Sequence, residues 1–228
     1  MRVRWLLAAV AVLGVANYVN NVALPGAYPW ISVPSVLVLL LLARAAGLTA
    51  ADLGLARATW RRGLRWGGVA ALLVLVVYLL ALVVPAGRSA FLDQRAHLSF
   101  GGALFAALVS VPVGTVLLEE VGFRGVLWGM VARLRGPVWA TVVSSVLFGV
   151  WHVLPSIGLG RRNAAVGDVY GSATALVTVS AVAATALAGV VLAVLRWRSG
   201  SLFAPALLHW ATNGLGYVLG AAIWALFG

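Results

Sequence analysis

The chain has few ionisable groups outside arginine, so they can be weighed one by one. Of five acids, Asp52, Asp93 and Asp168 fall in connections between apolar stretches, whereas Glu119 and Glu120 stand deep inside an apolar run, beside Arg124. Two of the three histidines, His152 and His209, also lie inside apolar runs, and Asn213 follows His209 by one helical turn. Holding an ionisable side chain in hydrocarbon costs about 2.5–3.5 kcal/mol on insertion scales, so such groups turn toward a bundle interior and mark function.

The set suits hydrolysis. A carboxylate takes a proton from water while an imidazole orients that water, giving a nucleophile for a peptide carbonyl. A second imidazole and an amide then stabilise the tetrahedral oxyanion. Residues four apart share a helical face, so Glu120 can pair with Arg124, Phe148 lies under His152, and His209 under Asn213. Glu119 is rotated about 100° from Glu120, so one acid pairs with the arginine while the other faces a cavity. Phe148 and Trp151 read as packing or pocket walls. His97, beside Arg95 in a connection, has no assigned role.

Other hydrolase designs fit less well. A zincin needs His-Glu-x-x-His on one helix, and no histidine here is followed by glutamate. An aspartyl dyad needs two aspartates that share a proton, and all three lie in connections. Ser144 stands eight residues before His152 on a similar face, but no Gly-x-Ser-x-Gly elbow accompanies it, and Ser144 and Ser145 suit helix packing. Cysteine is absent, which excludes thiol catalysis, disulfides and thiolate metal sites.

The elements that position these groups follow from composition. A chain of 228 residues that is 63% hydrophobic and 9% charged has lipid as its main solvent. At about 20 apolar residues per crossing, it forms one all-α polytopic transmembrane bundle over residues 1–228. Helices are predicted near 5–24, 31–43, 66–84, 100–132, 137–154, 171–195 and 201–227. The first resembles a signal peptide in its charge and apolar core, but Asn20, Asn21 and Pro25 make a poor cleavage site, so it is kept as a helix. Depths counted from the cytoplasmic ends, roughly 20 Å for Glu119, 22 Å for His152 and 13 Å for His209, allow one shared site.

All sixteen basic residues are arginine. With a cytoplasmic N-terminus, eleven of them, including Arg2 and Arg4, fall inside and four outside, which favours an N-in, C-out orientation. That asymmetry explains the net charge of +11 better than nucleic acid does. The segment Thr49–Arg65, which mixes Leu53, Leu55, Trp60 and Leu64 with four arginines, is expected to lie along the cytoplasmic surface.

Three short motifs carry a family pattern. Glu119-Glu120-Val121-Gly122-Phe123-Arg124 matches Glu-Glu-x-x-x-Arg, Phe148 to His152 matches Phe-x-x-x-His, and His209 to Asn213 matches His-x-x-x-Asn. In this order on successive spans they resemble the CAAX-protease and bacteriocin-processing (CPBP, or Abi) family of intramembrane glutamic endopeptidases. The likeness covers roughly residues 100–216.

The resemblance implies that Glu119 and His152 activate water, that His209 and Asn213 form the oxyanion site, and that Glu120 and Arg124 support them. It implies a membrane-associated peptide or protein substrate in the plasma membrane of a bacterium. A metal-free glutamate mechanism is the preferred reading, with no cofactor, since an amide such as Asn213 suits an oxyanion better than zinc. The zinc alternative uses Glu119, His152 and His209 as ligands and Glu120 as base. Two other functional readings are a non-catalytic scaffold or bacteriocin-immunity protein of the same fold, and a proton-coupled transporter using the same residues as a relay.

Overall fold

The structure, a computed structural model, describes residues 3–171 and 173–227. Arg2, counted above among the cytoplasmic charges, lies outside the described residues, as does Ser172 within the predicted sixth helix. Among the described residues seven helices are long and apolar enough to cross a bilayer: α1 (Val3–Ala23), α2 (Tyr28–Ala45), α3 (Arg57–Ala81), α4 (Phe100–Arg135), α5 (Pro137–Ser156), α6 (Thr174–Ser199) and α7 (Phe203–Phe227). No strand occurs among the described residues. Large apolar side chains such as Leu72 and Leu80 are 59% and 65% exposed, a pattern that lipid satisfies and water would not. The chain is an integral membrane protein.

The number of spans is as predicted, and most boundaries shift by only a few residues. The exception is α3, which begins at Arg57 rather than near residue 66. The surface-lying segment expected over 49–65 divides in two. Residues 57–59 form a 3-10 turn that runs straight into the helix from Trp60, while Leu48 and Leu53 before it are buried in the core.

Polar bonds explain that inward fold. Arg133 at the end of α4 donates to both Asp52 carboxylate oxygens, at 3.1 and 2.8 Å, and to the Gly47 carbonyl. Arg196 at the end of α6 donates to the Asp52 carbonyl at 2.9 Å. The connection between α2 and α3 is thereby tied to the ends of α4 and α6, which places those arginine-bearing ends on one side of the bundle.

The longest helix, α4, is the hub, packing against α1, α2, α5 and α7. Its hydrogen bonding widens in two stretches, 106–116 and 120–127, where amides reach back five residues, as from Leu117 to the Pro112 carbonyl and from Trp128 to that of Phe123. Backbone groups in hydrocarbon must be satisfied within the protein. Neighbouring helices contribute, since Trp210 of α7 donates to the Ala107 carbonyl at 2.8 Å and Ser32 of α2 donates to that of Gly114.

Glycines set two of the closest geometries. Gly136, at φ 84°, makes the turn that sends α5 back along α4. Gly149 lets α5 approach α6, because a Cβ there would lie 2.8 Å from the Val182 carbonyl oxygen; close approach over small residues is how helices associate in lipid.

Candidate active site

Glu119 and Glu120 sit where the ordinary turns of α4 give way to the second widened stretch. Both are buried, 4% and 1% exposed, and Arg124 one turn further is fully buried. A charge in such a place needs partners, and each has one. Arg124 Nη1 donates to Glu120 Oε1 at 3.2 Å. The guanidinium also lies 3.9 Å from the centre of the Phe148 ring, a cation–π contact from α5.

His209 enters from α7 and meets both acids. Its Nδ1 is 2.8 Å from Glu120 Oε1, and its Nε2 faces Glu119 Oε2 at 3.8 Å. The sequence suggested that the two acids diverge, one to the arginine and one to a cavity. They do diverge at the backbone, yet the two nitrogens of one imidazole, on different edges of the ring, bridge the gap between them.

The fourth partner is one that sequence reasoning treated as a wall. Trp151, near the end of α5, donates its indole N–H to Glu119 Oε1 at 3.1 Å. This leaves Glu119 Oε2 and Glu120 Oε2 as buried oxygens without a hydrogen-bond partner among the described residues. Trp151 is itself held, because Asn17 of α1 donates to its carbonyl at 3.0 Å. Asn17 accepts from Asn21, which accepts in turn from the Tyr28 hydroxyl, each at 2.7 Å. A cluster of asparagines in an apolar first helix was the clue in the sequence.

His152 is half-buried and sits within α5, between the regular turns that run to Trp151 and a last turn over Val153–Ser156. Its Nδ1 is 2.8 Å from the Phe148 carbonyl. A carbonyl only accepts, so Nδ1 carries the hydrogen and Nε2 is left as the acceptor. The Phe148 ring makes edge contacts with both imidazoles, at 4.6 Å to His152 and 6.0 Å to His209 between centroids. Asn213 lies one turn beyond His209 on α7, partly buried. Thus Glu119, Glu120, Arg124 and His209 form one bonded set, with His152 beyond the Phe148 ring.

For a metal ion, Glu119 Oε2 and His209 Nε2 are the facing donors. Among the described residues no group of three or more His, Asp or Glu side chains that could hold a metal ion is present.

Seven apolar spans closed around a bonded set of two carboxylates, a guanidinium and an imidazole define a membrane protein with a buried polar centre. Such a centre is costly in lipid and is held at that cost where it has work to do. Residues 101–215 match the model of the Rce1-like family, type II CAAX prenyl endopeptidase Rce1-like. The match spans half of the chain and contains every residue of the bonded set, and the chain belongs to this family of membrane-embedded proteases. No curated protein and no solved structure matches it.

Proposed function

We propose that this chain is an active endopeptidase that hydrolyses a peptide bond of a membrane-associated substrate by a metal-free glutamate mechanism. The observation that carries the reading is Glu119: one carboxylate oxygen is fixed by Trp151, and the other is buried, unpartnered and 3.8 Å from the His209 ring. A group held so firmly on one side and left open on the other is arranged for a small polar reactant.

In this mechanism Glu119 Oε2 takes a proton from a water oriented by the bare Nε2 of His152. The hydroxide adds to the scissile carbonyl carbon. His209, which faces both carboxylates, and the Asn213 amide donate to the resulting oxyanion. Collapse breaks the C–N bond, and the proton held by Glu119 passes to the leaving nitrogen. Glu120 and Arg124 position His209 and do not touch the substrate. The asymmetry of arginines between the two ends of the bundle supports a cytoplasmic N-terminus and an external C-terminus.

The test is cleavage of a quenched fluorescent peptide by purified protein in detergent or liposomes. Cleavage by the wild type that disappears in Glu119→Ala and His152→Ala supports the reading. Equal turnover in these variants, or none in any reconstitution of the wild type, overturns it.

A further inference from the structure

An open groove of about 600 Å³ runs between α3 and α6, with Leu208 and Thr212 of α7 as its floor. Its walls include Trp66, Leu73 and Val77 on one side and Val191 on the other. Leu73, Val77 and Val191 are each more than half exposed, so the groove faces lipid. It begins at Trp66 and ends at Tyr78, roughly 18 Å by helical rise. That is about the depth of one leaflet of a hydrocarbon core roughly 30 Å thick.

The mouth of the groove is cationic. Arg198 belongs to its lining. Arg62, one helical turn before Trp66 and on the same face of α3, donates through Nε to the Ser199 carbonyl, next to Arg198. Among the described residues neither arginine is paired with a carboxylate. Two exposed guanidinium groups at the membrane surface therefore stand over an apolar slot one leaflet long.

None of the residues of the catalytic set lines this groove. Leu208 and Thr212 lie about 100° and 60° round α7 from His209, on the flank of the helix. An occupant would rest against the flank of the helix that carries His209, and His209 itself is not among the lining residues.

From the juxtaposition of this slot and these two arginines, we propose that the groove binds an anionic phospholipid. One acyl chain lies along α3 and α6, and the phosphate is held by Arg62 and Arg198. Basic residues between spans on the cytoplasmic side recognise such headgroups. The proposal does not depend on proteolysis.

The experiment reconstitutes the full chain in phosphatidylcholine vesicles with a minor fraction of phosphatidylglycerol, extracts it in mild detergent and counts each retained lipid by mass spectrometry. Phosphatidylglycerol is expected to be enriched on the wild type, and its retention to fall about fivefold for each arginine replaced in Arg62→Gln and Arg198→Gln. Val191→Trp, which fills the slot and leaves both charges, should lower retention as well. Arg198 is exposed, so its variant decides the matter even where Val191→Trp fails to fold. Equal retention of the two lipids, or unchanged phosphatidylglycerol in the arginine variants, overturns the proposal. Displacement of the lipid by an equimolar isoprenylated peptide would assign the groove to substrate and likewise overturn it.

Discussion

The indole of Trp151 and the carboxylate of Glu119 are joined across α5 and α4 by a 3.1 Å hydrogen bond. That bond fixes which oxygen of Glu119 is free. It also ties the proposed base to the helix that carries His152, one residue after Trp151, so two groups proposed to handle the same water share one mechanical support.

Trp151→Phe removes the donor and keeps an aromatic ring. Losing a hydrogen bond to a buried carboxylate costs about 1–3 kcal/mol, so kcat should fall roughly 5- to 150-fold with KM little changed. Steady-state kinetics on the fluorescent peptide reads this directly. A change confined to KM would show that Trp151 contacts substrate instead.

Asn213→Ala should reduce kcat by about 10²–10³, the usual cost of one oxyanion donor. Thermal unfolding should be close to wild type, because Asn213 is only partly buried. A loss of activity matched by a loss of fold would contradict the assignment.

Arg124→Met takes the guanidinium from Glu120 inside the bundle and leaves that acid only the His209 ring. Breaking one side of a buried pair costs about 3–5 kcal/mol, and a large drop in unfolding temperature is expected. Combining it with Glu120→Gln should recover part of that drop, since no uncompensated charge is then left. Additive losses in the double variant would mean that the pair is not coupled.

Asp52 lies in the connection that clasps α4 and α6. Burial pushes its carboxyl up, but hydrogen bonds from the Thr49 hydroxyl and amide and from Arg133 outweigh this and hold it below the usual range. A carboxyl lowered in the folded state adds stability above its ordinary value of 3.8, lost as pH falls through the lowered one. Asp52→Asn should therefore be less stable than wild type at neutral pH, with the gap closing below about pH 4. A gap that persists unchanged in strong acid would remove the charge from the explanation.

Chelation tests the metal-free mechanism. Dialysis against a strong chelator, with zinc content measured in the same sample, should leave turnover within about twofold of untreated protein, whereas a catalytic zinc supplies the nucleophile itself. Loss of activity restored by zinc would overturn the metal-free mechanism.

The spans were legible in the sequence because lipid imposes a length and a composition that water does not. The apolar runs around Leu39, Val76 and Val191 could hardly be anything else. The polar groups in those runs were equally visible, since each is expensive where it stands. Partner choice was not legible. Helical spacing relates Glu120 to Arg124 on one helix, but nothing local says that His209, 89 residues away, reaches Glu120, or that the Trp151 indole points at an acid rather than a neighbour. The division of residues 49–65 was not legible for a related reason. Leu53 and Trp60 look alike in an amphipathic pattern, yet the first is drawn inward because Arg133 and Arg196 hold the backbone around Asp52.

The widened turns of α4 after Glu120 have an effect on what the protein tolerates. Each spends one more residue per turn than an α-helix, so the stretch works as a phase shifter between the glutamates and Arg133. Deleting a single residue between 121 and 127 would let the coil tighten and keep its length nearly intact. Everything beyond would keep nearly its present face and Arg133 would stay near Asp52, whereas the same deletion between Trp128 and Ala132, among ordinary turns, would swing Arg133 by about 100°. The widened stretch thus gives the link between the chemical centre and the arginine clasp a slack of one residue that the turns after it lack.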